Sequence, residues 1–409
     1  MKIVVIHQNF LRPDAEGGSR FNEMTRYWRE AGHDVTVIAS QVNYKTSERA
    51  AKYRGKWIAE ERENGVRVLR TYMPESVHSS MVGRMWAFAS FTLSSTTGLL
   101  KEIDDADVVV TTSPNLLVVV SGLLGKWLKR WPFVFEVRDL WPESAVATGV
   151  FSEGSPIIQG LYALEALGYH QASQIVVLTP AFRDDIVERG LADADKISFV
   201  PNGADLDMFT PGPPDEALRR KLGWEDKFVV LYSGAHGVAN HLWQYIDTAE
   251  RLRDRDDIVL ASVGSGPEKQ ALVEETKKRG LTNMHWLDGV PKSEMPALVR
   301  AADASTAILK KVDTFKTVYP NKIFDAMASA RPVLCAIDGV ARQLVEDAEA
   351  GYYVEPENPD DFAAKIVKLA ESPDDCEAMG RNGRAYVEEH FDRKKLAHKY
   401  LDILGELVD

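Results

Sequence analysis

The chain has 409 residues, of which 45% are hydrophobic and 27% charged, so it has the composition of a soluble globular protein with two or three domains. A formal net charge of −12 argues against nonspecific nucleic-acid binding as the main activity, because such binding depends on Lys and Arg neutralising phosphates. Cys335 and Cys376 lack metal-ligand spacing, which indicates reduced thiols in a cytoplasmic protein and suggests no zinc site.

Short apolar runs alternate with helical patterns along the chain, which is typical of parallel sheets with helices on both faces. The first series of predicted strands comprises residues 3–7, 35–39, 66–71, 108–112, 133–137, 175–179 and 197–200. The second series comprises residues 228–232, 258–263, 284–287, 305–309, 333–336 and 352–354. Between them, the Pro/Gly cluster Phe209-Thr-Pro-Gly-Pro-Pro214 predicts an inter-domain linker.

Polar and Gly-rich loops follow many of these strands. Ligands of open parallel sheets bind outside the carboxyl ends of the strands, so we expect one crevice in each domain, and one deep cleft where the two crevices face each other. The Gly-rich turns do not have the spacing of a dinucleotide-binding fingerprint, which argues against a two-domain dehydrogenase.

The stretch from Met81 to Leu100 is the most apolar part of the chain. It carries aromatic and aliphatic residues but is interrupted by Arg84 and by many Ser and Thr, so it predicts an amphipathic helix and not a membrane span. The aromatic stripe either packs on the sheet or rests on a membrane surface, and both interpretations stay open. The predicted location is the cytoplasm, with the inner face of the membrane as the second option.

Two groups of residues in the first domain are candidate site residues. Gly17 and Gly18 precede a helix, where backbone N–H groups could approach a phosphate or a sugar, although a plain tight turn fits them as well. Arg138, Asp139 and Glu143 follow a buried strand. Such a concentration of charge requires either a functional site or an internal ion pair, and we favour a functional site.

Two Gly-rich turns of the second domain follow strands and open helices, which is the context of a phosphate-binding turn. The first contains Gly234, His236 and Gly237, and the second contains Gly264 and Gly266. His236 could donate a hydrogen bond to a phosphate or a sugar, or it could be an ordinary turn histidine.

The segment from Tyr319 to Pro332 predicts a helix that begins near Pro320 and carries a cation and a carboxylate on its first turns. A phosphate there would meet free backbone N–H groups and Lys322, and Asp325 could accept from sugar hydroxyls. The alternative is an ordinary helix with a solvated Lys and Asp. Three more lysines form a local basic cluster with Lys322, and this cluster favours an anionic ligand: Lys310, Lys311 and Lys316.

Taken together, these motifs resemble glycosyltransferase family 4, closest to its WbuB-like branch of bacterial surface-polysaccharide transferases, and the resemblance spans nearly the whole chain. The motifs that carry it are the Gly17-Gly18 loop, Glu30-Ala-Gly-His-Asp-Val-Thr-Val37, Val200-Pro-Asn-Gly-Ala-Asp-Leu-Asp-Met-Phe209, Gly264-Ser-Gly-Pro267, Phe324-Asp-Ala-Met-Ala328 and Arg331-Pro-Val333.

The resemblance implies the GT-B fold, with two Rossmann-like, doubly wound parallel-sheet α/β domains that face each other across a cleft. Residues 1–208 would form the acceptor-side domain, completed by a C-terminal helix in 391–409. Residues 209–390 would form the domain that binds the nucleotide-sugar. The implied activity is transfer of a sugar, with retention of configuration, from a UDP-linked donor to a hydroxyl of a glycan or lipid-linked acceptor.

The resemblance also implies roles for individual residues. The implied donor-binding residues are Gly18, Gly234, His236, Gly237, Gly264, Gly266, Val290, Asn321, Lys322, Ile323 and Asp325. On the acceptor side they are Gly17, Arg138, Asp139 and Glu143, and the catalytic candidates are Arg138, Asp139 and Lys322. Arg138 and Asp139 fall near the position where many relatives carry a His that contacts the transferred sugar, so one of them would position or deprotonate the acceptor hydroxyl.

Two departures from the family pattern bear on the mechanism. The family's two glutamates, separated by seven residues, are Thr317 and Asp325 here, and the Arg and Lys that usually follow the loop at Gly234 are absent. We therefore expect Lys322, with Lys316 as a helper, to balance the charge of the diphosphate. No metal and no other cofactor is expected. Two alternatives remain open, a GT-B-like nucleotide-sugar epimerase and a non-catalytic partner subunit.

Overall fold

The structure is a computed structural model that describes residues 1–12, 20–43, 46–76, 81–147, 152 and 154–408. Its contacts divide the chain into two compact units, one formed by Met1–Pro201 with Lys394–Asp409 and the other by Asn202–Arg393. The Pro/Gly cluster at 209–214 therefore lies inside the second unit. Gly17 and Gly18 lie outside the described residues.

The first unit contains an eight-stranded sheet with helices on both faces. Its strands are β1 Lys2–Ile6, β2 Asp34–Ser40, β3 Ile58–Glu63, β4 Val66–Thr71, β5 Val108–Thr112, β6 Phe133–Val137, β7 Gln174–Val177 and β8 Ile197–Phe199. They lie in the order β3-β4-β2-β1-β5-β6-β7-β8, and all pairs are parallel except β3 with β4. Its first six helices are α1 Arg20–Glu30, α2 Met81–Glu102, α3 Val119–Leu124, α4 Glu143–Ala147, α5 Pro156–Gln171 and α6 Pro180–Glu188.

The second unit contains a six-stranded, wholly parallel sheet in the order β11-β10-β9-β12-β13-β14. Its strands are β9 Phe228–Ser233, β10 Ile258–Val263, β11 Met284–Leu287, β12 Ala304–Ile308, β13 Val333–Ala336 and β14 Gly351–Tyr353. Its helices are α7 Glu216–Leu222, α8 Trp243–Arg251, α9 Lys269–Lys278, α10 Met295–Ala301, α11 Asn321–Ala328, α12 Val340–Asp347, α13 Pro359–Ala370 and α14 Pro373–His390.

The last helix, α15 Arg393–Gly405, packs into the core of the first unit. The indole Nε1 of Trp28 on α1 donates to the Ala397 carbonyl over 2.9 Å, and the rings of Trp28 and Tyr400 lie 5.1 Å apart, edge to face. Both side chains are buried, so α1 and α15 share one face of the sheet through aromatic contacts.

All thirteen predicted strands are present, with boundaries that match or differ by one or two residues. Strand β3 was missed, because its sequence Ile-Ala-Glu-Glu-Arg-Glu reads as a solvated charged segment. In the structure, Glu61 and Glu63 of this edge strand bind the buried guanidinium of Arg70 on β4 over 2.8 and 2.5 Å. The charged residues that prevented prediction of this strand therefore contribute to its packing against β4.

Helix α2 confirms the predicted amphipathic helix between Met81 and Leu100. Its inner face packs on the sheet through Phe88, Phe91 and Leu99, whereas Trp86 is exposed. Among the described helices, none combines the length and apolarity needed to cross a bilayer.

Candidate functional site

The loops after β9 and β10 in the second unit lie directly against each other. Gly264 has a φ of 150°, and a Cβ at this position would overlap the carbonyl oxygen of Gly234. A Cβ at Gly266 would likewise overlap the backbone of His236. Gly264 and Gly266 are therefore required by a close backbone approach between two loops at the carboxyl edge of the sheet.

The side chain of His236 lies beneath these loops, against strand β10. Its side chain is buried, its Nε2 is hydrogen-bonded to Ser262 Oγ over 2.7 Å, and its ring meets Trp286 edge to face. Burial, with Lys269 and Lys322 nearby, lowers the pKa of His236 to about 4, so the imidazole is neutral at pH 7. Direct contact of His236 with a ligand stays a prediction, which now depends on its Nδ1, since that buried atom has no partner among the described residues.

Helix α11 begins at Asn321, and its first turn brings the predicted cation to the Gly234 loop. The ammonium of Lys322 lies 3.7 Å from the ring centroid of Tyr232, and its Nζ is 3.0 Å from where a Cβ at Gly234 would be. The Tyr232 hydroxyl donates to the Ala235 carbonyl over 2.9 Å. Tyr232, the penultimate residue of β9, therefore orders both the cation and the loop, and its apolar strand context gave no sign of this role.

Lys322 is partly buried without a carboxylate partner in the part of the chain that the structure describes. Burial lowers the pKa of its ammonium to about 7. The other lysines of the predicted basic cluster differ, because Lys311 pairs with Glu355, Lys316 pairs with Asp313 and Lys310 is exposed to solvent. Lys322 is therefore the partly buried cation of this cluster, and the helper role expected of Lys316 would require breaking its ion pair.

The neighbours of Lys322 on α11 differ in what they expose. Asn321 is exposed, whereas the side chain of Ile323 is buried and its N–H already donates to the Pro320 carbonyl over 3.1 Å. This geometry favours Asn321 over Ile323 as a ligand contact at the helix start.

Asp325 lies one turn after Lys322 and is partly buried. Burial, with a smaller contribution from Asp205, raises the pKa of its carboxyl group to about 7, and Lys292 acts in the opposite direction. At neutral pH this carboxyl group is poised between its two forms, so a ligand that donates hydroxyl hydrogen bonds would stabilise its ionised form.

The loop after β11, which contains the partly buried Val290, is tied to the Gly264 loop by one side chain. The Lys269 ammonium donates to the carbonyls of Gly264 and Leu287 over 3.0 and 2.8 Å, and to Asp288 over 2.7 Å. Lys269 thus holds together two loops that were predicted to bind the donor. The sequence did not predict this role, because Lys269 lies on a polar helix, where an exposed lysine is ordinary.

In the first unit, Arg138 lies at the carboxyl end of β6 in a buried charged cluster. The carboxylate of Glu136 is buried between the Nε atoms of Arg20 at 3.2 Å and Arg138 at 4.0 Å. Arg138 also approaches His7, with 3.3 Å between Nη1 and Nε2, and His7 Nδ1 is hydrogen-bonded to Thr112 Oγ1 over 2.8 Å. Burial and the surrounding arginines lower the pKa of His7 well below its usual range, so this histidine is neutral at pH 7.

The internal ion pair that the sequence left open for Arg138 is therefore present, although it does not exclude a functional role. Arg20, Glu136 and His7 escaped sequence analysis because they come from separate elements that only the fold brings together. Periodicity alone could not separate them from ordinary strand and helix residues.

Asp139 and Glu143 have different surroundings. The Ser113 hydroxyl oxygen accepts from the Arg138 and Asp139 backbone N–H groups over 2.7 and 3.2 Å, which orients the turn. Burial raises the pKa of the Asp139 carboxyl group, which accepts from Ser144 Oγ over 3.1 Å. Glu143 accepts from the Tyr162 hydroxyl over 2.6 Å and so is bound to α5. Of the acceptor-side candidates, Arg138 and Asp139 are neighbours in one turn, and the carboxylate of Glu143 is bound to Tyr162.

The sequence of the chain matches two models of glycosyltransferase domains. The model for the glycosyl transferase 4-like domain matches residues 17–203, and the model for glycosyl transferases group 1 matches residues 214–386. The putative colanic acid biosynthesis glycosyl transferase WcaI of Escherichia coli is 25% identical over 99% of this chain and 100% of its own. The probable glycosyltransferase WbjE of Pseudomonas aeruginosa is 24% identical over 70% of this chain and 71% of its own.

Solved structures agree on the fold. Sucrose-phosphate synthase from Thermosynechococcus elongatus has a TM-score of 0.72 and 16% identity over 100% of this chain and 99% of its own. Anabaena HepE, solved in complex with UDP-glucose, has a TM-score of 0.72 and 18% identity, and the match covers 99% of this chain and 100% of the HepE chain. The alternatives of an epimerase, a partner subunit and a dehydrogenase gain no support from these comparisons. Two parallel-sheet α/β domains and matches along nearly the whole chain show that the protein belongs to glycosyltransferase family 4, with the GT-B fold.

Proposed function

We propose that the protein transfers a sugar, with retention of configuration, from a UDP-sugar to a hydroxyl of a glycan or polyprenyl-linked acceptor in the synthesis of a bacterial surface polysaccharide. The name of WcaI, a putative colanic acid biosynthesis glycosyl transferase, supports this choice of pathway, and the complexes of HepE with UDP and UDP-glucose support this choice of donor. The proposed place of action is the inner face of the membrane, with contact through the outer side of α2.

The observation that carries the proposal is the partly buried ammonium of Lys322 at the start of α11, which has no carboxylate partner among the residues that the structure describes. As the bond between the anomeric carbon and the diphosphate oxygen breaks, negative charge grows on the leaving UDP. A protonated Lys322 and the N–H groups of the helix start would stabilise that charge in place of a metal ion. Asp325 would accept from the ribose hydroxyls.

The acceptor oxygen forms the new bond to the anomeric carbon and loses its proton. We propose that the turn of Arg138 and Asp139 positions this hydroxyl, with Asp139 as the group that takes the proton. The raised pKa of the buried Asp139 carboxyl group suits a general base, which works best when its pKa approaches the working pH.

A thermal-shift screen against UDP, GDP, ADP, NAD and a panel of nucleotide-sugars tests the donor. A ligand that binds only the folded state raises the melting temperature by mass action, so UDP and one UDP-sugar should give the largest shifts. NAD binding would revive a dehydrogenase. Turnover of a UDP-sugar without an acceptor, to an isomerised product, would favour an epimerase.

The mechanism is tested by comparing Lys322→Ala with Lys311→Ala. Lys311 belongs to the same basic cluster but is paired with Glu355, so it is a matched control. Removing a group that stabilises developing charge should lower kcat by roughly 100- to 1000-fold for Lys322→Ala. Lys311→Ala should retain the wild-type rate, and an unchanged rate for Lys322→Ala would remove this lysine from the mechanism.

A further inference from the structure

Three helices of the first unit, α2, α3 and α5, lie side by side on the sheet face opposite to α1 and α15. The hydroxyl oxygens of Thr96 on α2 and Ser121 on α3 are 2.8 Å apart. Gly168 of α5 lies so close to Val119 of α3 that a Cβ there would be 3.0 Å from a valine methyl group. These contacts join the three helices into one continuous surface, which we call the α2/α3/α5 layer.

The outer side of this layer exposes large apolar side chains. On α2, Trp86 is 63% exposed and Leu93 is 60% exposed, although the inner face of the same helix is buried. Val120 of α3 and Ile157 of α5 are also exposed. Large apolar side chains exposed on neighbouring helices of one layer indicate a docking site.

A π-helical turn at the end of α3 adds to the same surface. The turn, Gly125–Lys129, ends at Arg130, which has a left-handed φ of 63°. Trp127 and Leu128 are exposed side by side on it, at 54% and 64%, while the following Trp131 returns to the core. The local backbone therefore presents two neighbouring apolar side chains to solvent between Lys129 and Lys126.

The charge of the layer is opposite to that of the protein as a whole. The sequence has no Asp or Glu in residues 76–101 and 108–135, whereas the chain carries a net charge of −12. These two segments contain five basic residues: Arg84, Lys101, Lys126, Lys129 and Arg130. The carboxylate of Glu165 on α5 is buried and paired with Arg189, so it does not offset them.

We propose that the α2/α3/α5 layer docks the protein on an anionic lipid bilayer, with Trp86, Leu93, Trp127 and Leu128 in the interface and Lys129 with Arg130 on the headgroups. Tryptophan and leucine beside lysine and arginine suit the boundary between anionic headgroups and acyl chains. Glu102, the exposed last residue of α2, is an acidic residue at the end of this surface, and the five basic residues outnumber it. Two copies of a surface with such an excess of positive charge would repel each other, which disfavours a symmetric dimer. This extends the contact proposed for α2 alone, and it rests on the proposed function only for its purpose, access to a lipid-linked acceptor.

Vesicle flotation without nucleotide tests the surface independently of catalysis. The wild-type protein should float with phosphatidylcholine vesicles that contain phosphatidylglycerol, and much less with phosphatidylcholine alone. The double variant Trp127→Ser, Leu128→Ser should lose flotation. The double variant Lys129→Gln, Arg130→Gln should bind roughly 25-fold more weakly, because each Lys or Arg near an anionic surface contributes about fivefold.

Two matched controls and one further measurement decide the outcome. Val187→Ser removes an exposed apolar side chain of α6 and Lys278→Gln an exposed cation of α9, so both should float like the wild type. Equal flotation of all variants, or none for the wild type, would overturn the proposal. A dimer in light scattering that Trp127→Ser, Leu128→Ser converts to a monomer, without vesicle binding, would assign the layer to self-association instead. UDP should still raise the melting temperature of every variant, and its failure to do so in the wild type would count against the proposed function while leaving the flotation result intact.

Discussion

Binding of a nucleotide-sugar should have a bell-shaped pH dependence, because two groups on the first turns of α11 titrate near neutrality. Burial lowers the pKa of Lys322 to about 7 and raises the pKa of Asp325 to about 7. The ammonium that would face the diphosphate exists below this pH, and the carboxylate that would accept from the ribose exists above it. The protein form that carries both charges is therefore most abundant near pH 7 and declines on either side.

The size of the effect follows from these two values. If the groups ionise independently, about a quarter of the molecules carry both charges at pH 7 and about 3% at pH 8.5 or 5.5, and the apparent Kd scales inversely with this fraction. The apparent Kd should therefore rise roughly eightfold from pH 7 to either limit. Calorimetric titration with UDP-glucose measures this apparent Kd. UDP-glucose is suitable because its diphosphate diester does not titrate between pH 5.5 and 8.5, whereas the terminal phosphate of UDP titrates at about pH 6.

Variants assign the two limbs of the profile. Lys322→Gln should lose the alkaline limb and keep the acid limb, and Asp325→Asn should do the reverse. Lys278→Gln, on the exposed side of α9, should keep both limbs. A wild-type Kd that does not vary between pH 5.5 and 8.5, or an alkaline limb that survives Lys322→Gln, would refute the assignment of these groups to the donor site.

Three further substitutions probe the contacts that hold the site. Glu136→Gln should lower the free energy of unfolding by about 3–5 kcal/mol in urea denaturation, because it leaves the buried guanidinium of Arg20 and the partly buried one of Arg138 without their charged partner; a loss below about 1 kcal/mol would mean that solvent already compensates them. Gly264→Ala forces a Cβ against the Gly234 carbonyl and should weaken UDP-glucose binding at least about tenfold in calorimetry; wild-type affinity would show that the loops adjust. Tyr232→Leu removes the ring beside Lys322 and should weaken the same binding by about tenfold, whereas Tyr232→Phe keeps the ring and most of the affinity; equal losses would assign the effect to the hydroxyl.

The strands could be predicted from the sequence because a buried parallel strand is a short apolar run, which depends on local composition alone. Strand β3 could not, because its stability comes from a partner. Glu61 and Glu63 resemble solvated surface residues until β4 is placed beside them with the buried Arg70. Pairing across an edge of the sheet is not encoded in the charged segment itself.

The same limit applied to the candidate site. Glycines such as Gly234 and Gly264 mark turns after strands, so the sequence alone could propose where a ligand binds. The state of the charged groups there depends on contacts between distant residues. Glu136, the partner of Arg138, also binds Arg20, which is 116 positions earlier in the sequence. Lys322 lies on the ring of Tyr232, which is 90 positions earlier in the sequence.

The contrast between these two cations bears on which of them can drive the chemistry. The guanidinium of Arg138 already has a buried carboxylate beside it, so a ligand must compete with an internal partner. Within the part of the chain that the structure describes, the ammonium of Lys322 lies on an aromatic ring and has no carboxylate partner. The attraction of the ring is weaker than that of an anion, and burial has lowered the pKa of the ammonium to about 7. A diphosphate that supplies the missing negative charge would restore the ammonium and gain the larger share of the interaction as its own charge grows. Stabilisation that increases along the reaction is what lowers a barrier, so the cation left uncompensated in the second unit is the better candidate for catalysis, and the compensated one in the first unit for positioning.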